Sequence, residues 1–279
     1  MTTRREYYTD HPRAILWLIP GGETTIGGGE VDARPAFTAA VEPFYLSKFP
    51  IGNQQYEAFD PEFERSPVSP GDRDPATGVS HQDAVAYCAW YAEVSRKPMR
   101  LPTEVEWEHA CRGGATGRWF WGDDAAPGDE HAWDAESMAA AGDRHLPPLD
   151  AKCANGFGLF AMLGGVWEWT GSLYRPYPLS GDDEPARESA GTFSGGDGEP
   201  ARKSAGTFSG GDGEPARESA GTFSSTPSGT LSEEGERYVL RGGSHLTPRA
   251  EATSSRRRSA APAVRFADAG FRIARPLRV

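Results

Sequence analysis

The residues best suited to chemistry lie in four places. Glu104, Glu106 and Glu108 stand at alternate positions behind Pro102. Three close carboxylates suit acid–base work, but a helix N-terminus attracts such acids without any catalytic need. Glu168 sits between Trp167 and Trp169, directly after Gly164-Gly165 and Val166. A lone acid there offers hard oxygen to a cation, or pairs with an arginine or backbone amides. His245 follows Arg241-Gly242-Gly243-Ser244 and opens a stretch that carries Arg249, Arg256, Arg257 and Arg258. Guanidinium forks bind carboxylates bidentately. The three cysteines, Cys88, Cys111 and Cys153, are widely spaced and show no disulfide framework or metal spacing. The six histidines show no paired ligand spacing either.

Regular elements must position these groups. Ser80 with Asp83, and Thr103 with Glu106, form two capping boxes. The first predicts a helix burying Val85, Cys88, Ala89 and Ala92, so that Cys88 is a small core residue. The second predicts a helix whose apolar face is Trp107, Ala110 and Cys111 and which stops at Gly113-Gly114. Strands are expected over 15–19, 23–26 and 41–49. Around Glu168 the chain reads as extended, with Trp167 and Trp169 on one face and Val166, Glu168 and Thr170 on the other. Gly164-Gly165 permits positive φ just before it. Residues 1–14 are a lead-in. Residues 15–279 form one domain, interrupted over 181–232 by an insertion built on a 15-residue tandem repeat (Pro185, Pro200, Pro215). One Phe per repeat cannot offset the ordering entropy of its neighbours, so the insertion is expected to be disordered.

Composition narrows the functions. The 279 residues carry a formal charge of −11, which argues against nucleic-acid binding through phosphate neutralisation. No apolar run approaches the ~20 residues of a membrane span, and a cytoplasmic location is the expectation. The tract after Arg256 is arginine-rich, with Asp268 as its single acid. It either pairs with the acidic body or binds an anionic ligand.

Six ordered blocks carry a family resemblance: 19–22, 44–56, 100–108, 164–169, Leu240-Arg241-Gly242-Gly243-Ser244 and Gly270-Phe271-Arg272. Together they resemble the formylglycine-generating enzyme (sulfatase-modifying factor) family. The resemblance implies an α+β fold of the C-type lectin-like type: a twisted mixed sheet, two main helices and long loops. It also implies, in active members, a copper-binding cysteine pair shortly after the Arg-Gly-Gly-Ser motif. Thr247 and Ala252 stand at those two positions, and none of the three cysteines lies in the C-terminal third. Soft thiolates are what that chemistry needs, so copper-dependent formylglycine formation is not expected. The family's calcium motif is degraded as well, because Gly165 replaces the usual Asn. Val166 and Glu168 are left as a weak calcium-type pair, and no cofactor is expected to be required.

With the redox pair gone, the expected function is non-catalytic binding of a protein or acidic ligand. The C-terminal segment 245–269 would supply the surface, through His245, Leu246, Thr247, Arg249, Glu251, Thr253, Ser255, Arg256, Arg257 and Arg258, with Trp169 and Tyr174 beside it. The chain is also similar to retroelement-diversified variable proteins, whose changing segment lies between the same two motifs. The alternative is an iron- or copper-dependent oxidase or sulfoxide-synthase-like enzyme, or a subunit of one. The run from Trp167 to Pro178 resembles the C-terminal domain of ergothioneine-type sulfoxide synthases.

Overall fold

A computed structural model describes residues 5–7, 14–142, 145–179 and 235–277. The described elements belong to one compact unit formed by Met1–Ala190 and Glu236–Val279. The expected repeat insertion lies outside the described residues.

A four-stranded antiparallel sheet has the order β1 (Arg5–Tyr7), β2 (Ile15–Ile19), β5 (Phe44–Ser47) and β10 (Ala274–Pro276). A two-stranded ribbon pairs β3 (Gly22–Ile26) with β4 (Phe37–Val41). The run expected as one strand over 41–49 is thus split at Glu42-Pro43, because a proline has no N–H for a ladder. The third sheet is mixed, with the order β8 (Arg257–Ala260), β7 (Tyr238–Arg241), β6 (Trp167–Leu173) and β9 (Ala269–Phe271). Within it β6 runs parallel to β9 and antiparallel to β7.

Five α-helices are described, α1 (Asn53–Glu57), α2 (His81–Ser95), α3 (Glu104–Arg112), α4 (Gly128–His131) and α5 (Ala135–Ala141), with short 3-10 turns at Val31–Ala33 and Leu149–Ala151. Both expected capping boxes form, at Ser80 for α2 and Thr103 for α3. Gly113 ends α3 in the left-handed region, with φ of 57°. The buried stripe of α2 differs from the expected one. Ala84, Tyr87, Cys88 and Tyr91 face inward, while Val85 and Ala89 are exposed. Tyrosine rings supply more apolar area than the valine and alanine methyls, and they turn the helix by one position.

The mixed sheet separates two apolar clusters, and strand alternation sorts its residues between them. Trp167, Trp169, Leu240 and Phe271 pack toward α2 and its tyrosines. The opposite face looks at α3. Register places Glu168 on β6, Arg241 on β7 and Arg257 on β8 in one row across the sheet. Directly opposed residues share a face, so all three project at α3. There Glu104, Trp107 and Glu108 recur at helical spacing on the side toward the sheet.

Candidate functional site

The row of charges facing α3 is buried and ion-paired. Arg257 binds Glu104 in a fork, with Nε to Oε1 at 2.7 Å and Nη2 to Oε2 at 2.9 Å. The Arg241 guanidinium donates to Glu108, and its Nη1 donates to the carbonyls of Ser255 and Arg256 at 2.7 Å each. Arg112 donates to the other Glu108 oxygen at 2.7 Å, as does the Gly27 N–H at 2.9 Å. Glu106 instead caps α3 and pairs with Arg100 at 2.6 Å. Of the three alternate acids, two are buried ion-pair partners and one is a cap; none faces an open cleft.

Glu168 is spoken for in the same way. Arg272 Nε lies 2.9 Å from both of its oxygens, and Trp107 Nε1 donates to Oε2 at 2.7 Å. Burial pushes this carboxyl up, against the Arg272 charge and the Trp107 hydrogen bond, which pull it down. Such a carboxylate does not fit calcium, since its ligand positions already hold a cation and an indole N–H. The neighbouring Gly165 carbonyl accepts from His245 N at 2.9 Å and meets His245 Nδ1 at 3.0 Å. Val166 is buried. Among the described residues no group of three or more His, Cys, Asp or Glu is placed to hold a metal ion.

Two glycine pairs build the turn beyond β7. Gly164 and Gly165 have φ of 72° and 71°, Gly242 and Gly243 of 97° and 76°. The pairs meet where Gly164 N donates to the Gly242 carbonyl at 3.0 Å. A Cβ on Gly243 would lie 3.2 Å from Ala252 Cβ and 3.3 Å from Thr247 Cβ. Those two side chains therefore flank one point. A methyl and a hydroxyl there do not fit copper, which requires soft thiolates. Thr247 Oγ1 accepts instead from Ser244 N at 2.9 Å. The thiols lie elsewhere: Cys88 and Cys111 are buried and Cys153 is exposed. Burial raises the Cys111 thiol to about 12.

From this turn the chain runs out as a pinned loop. Ala135 N donates to the Thr247 carbonyl at 3.1 Å, and Ser254 N to the Arg118 carbonyl at 3.0 Å. Arg249 Nε reaches Asp134 at 2.7 Å, and Asp134 also caps α5 through Ser137 N at 2.9 Å. Of the residues expected to bind a ligand, Leu246 is 66% exposed and Glu251 and Arg256 lie at the surface. Others sit deeper in the fold. Trp169 is buried, its Nε1 donating to the Val79 carbonyl at 3.0 Å. Thr253, Ser255, Thr247 and His245 are buried scaffold residues, and Arg257 is inside the sheet–helix layer. Tyr174 is half-buried beneath the Arg257 guanidinium, 4.5 Å from its ring centre. Arg258 lies over the Phe266 ring at 3.7 Å and 3.9 Å from Asp268. The arginine tract is thus largely paired within the protein, because the acids of α3, Asp134 and Glu251 meet it. Arg118 and Glu30, which border the loop, carried no periodicity or motif to mark them in the sequence.

The fold and the turn define the class: a C-type lectin-like α+β scaffold in which Arg-Gly-Gly-Ser launches a pinned surface loop. Residues 9–277 match the sulfatase-modifying factor enzyme 1-like domain, and the chain belongs to that family. It is 31% identical over 217 residues to the mouse "Inactive C-alpha-formylglycine-generating enzyme 2", covering 57% of this chain and 68% of that one. It is 41% identical over 222 residues to the bovine "Formylglycine-generating enzyme", covering 57% of this chain and 58% of that one. The match therefore spans little more than half of the bovine relative. Among solved structures, "Treponema denticola variable protein 1" superposes with a TM-score of 0.70 at 18% identity, covering 99% of this chain and 100% of that one. That likeness is one of fold.

Proposed function

We propose that the chain is a non-catalytic binding protein on a formylglycine-generating-enzyme-like scaffold, with the segment 245–269 supplying the surface for a protein or acidic ligand. One observation carries the reading: Thr247 and Ala252 flank Gly243 where the resemblance implies a thiol pair. The scaffold around them is intact, so the loss is confined to the chemistry. A relative named as inactive, and the fold shared with a protein titled a variable protein, support a frame kept for presenting side chains. The proposal assigns no resident cofactor. Within the segment, Leu246, Glu251 and Arg256 are the contacts, and the buried members hold them in place.

Two measurements test this. The purified chain, supplied with Cu(I) and a cysteine-containing peptide, is expected to leave the peptide unchanged by mass spectrometry. Aldehyde formation overturns the non-catalytic reading. A photo-crosslinking amino acid at Leu246 is expected to capture a partner that the same group at Val94, exposed on α2, does not. Identical capture from both positions overturns the surface assignment.

A further inference from the structure

The Glu30 carboxylate lies between two arginines from distant parts of the chain. Arg118 Nη2 is 3.9 Å from Oε1, and Arg256 Nη1 is 3.9 Å from Oε2. Both contacts are beyond hydrogen-bonding reach. Glu30 receives one long side-chain hydrogen bond, from Thr253 Oγ1 at 3.3 Å. The neighbouring arginines behave differently: Arg249 and Arg257 each close on an acid at 2.7 Å. Arg256 spends one nitrogen on Glu251 at 3.0 Å, while its Nε has no partner. The backbone holds both arms, because Arg118 N donates to Asp123 at 2.7 Å and Arg256 N to the Thr253 carbonyl at 3.1 Å. Arg118 also donates to the Ala250 carbonyl. The side chains of Arg118, Arg256 and Glu30 retain 47%, 32% and 23% exposure, so solvent reaches all three. Two fixed cations thus face a carboxylate that neither binds tightly.

We propose that Arg118 and Arg256 form a clamp for a carboxylate carried by an acidic segment of a partner polypeptide, with Glu30 as its internal placeholder. This rests on the proposed binding face and names the chemistry of what docks there. Exposed ion pairs of this kind hold weakly, so Glu30 is readily displaced. An incoming carboxylate that closes to ordinary charge-assisted distance on both guanidinium groups makes the stronger pair. The clamp joins the 27–33 turn and the 118 loop to the C-terminal segment as one surface.

Fluorescence anisotropy of a labelled hexaglutamate peptide with the full chain tests the clamp. Glu30→Ala is expected to tighten binding about three- to fivefold, the loss of one weak competing pair. Glu93→Ala makes the same change in net charge on an exposed part of α2 and is expected to leave binding unchanged. Arg118→Gln, at the most exposed arm, is expected to weaken binding several-fold and to remove the gain from Glu30→Ala. Equal tightening by Glu30→Ala and Glu93→Ala overturns the clamp, as does unchanged binding by Arg118→Gln. Succinate that competes as well as the peptide at equal carboxylate concentration overturns the assignment to a polypeptide. The two readings fail separately. If Leu246 captures nothing distinct while the peptide still answers to Glu30, the face reading falls and the clamp stands; the converse result removes the clamp alone.

Discussion

Glu104, Glu106 and Glu108 look equivalent in the sequence, and the structure ranks them sharply. Glu104 is fully buried and answers the Arg257 fork, with Arg241 Nε a further 3.6 Å away. Replacing it with Ala leaves Arg257 buried with no carboxylate, held by the carbonyls of Asp32 and Arg175 and by the rings of Tyr174 and Tyr177. Removing one partner of a buried pair costs about 3–5 kcal/mol. Glu106 caps α3, and its Arg100 pair is partly exposed. Its loss is expected to cost about 1 kcal/mol for the cap and at most about 1 kcal/mol for the pair. Urea unfolding followed by tryptophan fluorescence reads both, provided the slope m is unchanged. Glu104→Leu combined with Arg257→Leu removes both charges and is expected to cost less than Glu104→Ala alone. The reasoning is refuted if Glu106→Ala matches Glu104→Ala, or if the double substitution is worse than the single one.

Burial lowers His81 to about 4, where it stacks on Tyr238 and abuts Trp169. With an unfolded value near 6.5, its contribution is intact above pH 6.5 and is lost as pH falls toward 4, about 3 kcal/mol in all; His81→Phe is expected to flatten that part of the stability–pH curve. Thiol labelling under native conditions is expected to modify Cys153 and to spare buried Cys88 and Cys111 until the chain unfolds. Gly243→Ala must hold φ near 76° and crowd Ala252 and Thr247, so it is expected to cost about 1–3 kcal/mol in the same urea assay. Deep sequencing of alleles from related isolates is expected to find changes at Leu246, Ala250 and Glu251, with Arg241, Arg249 and Arg257 retained.

Much of the fold is legible because local signals and tertiary needs coincide. Ser80 and Thr103 announce α2 and α3 through side-chain caps that need no partner elsewhere in the chain. The alternation around Glu168 places the two tryptophans on one face and the acid on the other because strand geometry allows little else. What sequence reasoning misplaces depends on pairing at long range. The tract from Arg256 to Arg258 leaves internal pairing and ligand binding open in the sequence, and its partner is unmarked there: Arg257 belongs to Glu104, 153 positions away. Nothing local marks that partnership; it follows from the register of β6, β7 and β8 opposite α3. Val85 looks as suitable for burial as Cys88, and only the demand of Tyr87 and Tyr91 for the core turns the helix away from it.

The same register explains how a surface can change on this frame without loss of shape. Arg241 carries the carbonyls of Ser255 and Arg256, Arg249 ties the loop to Asp134, and Arg257 fixes the start of β8. Each uses its guanidinium to hold backbone or buried carboxylate, so the loop path depends on three inward residues. Leu246, Ala250 and Glu251 point outward between those anchors. Substituting them alters what the face presents while leaving the anchoring contacts in place. Thr and Ala at 247 and 252 are compatible with the same logic, because Thr247 supports the turn through Ser244 N and Ala252 packs beside it. The buried arginines are therefore what the proposed binding face requires of the fold. Exchanging Arg249 for Lys should test this directly: Lys lacks the fork that spans Asp134 and Ser137. Faster amide exchange confined to the 246–253 backbone is the expected result. Protection unchanged from the parent chain would show that the loop holds its shape without its arginine clasp.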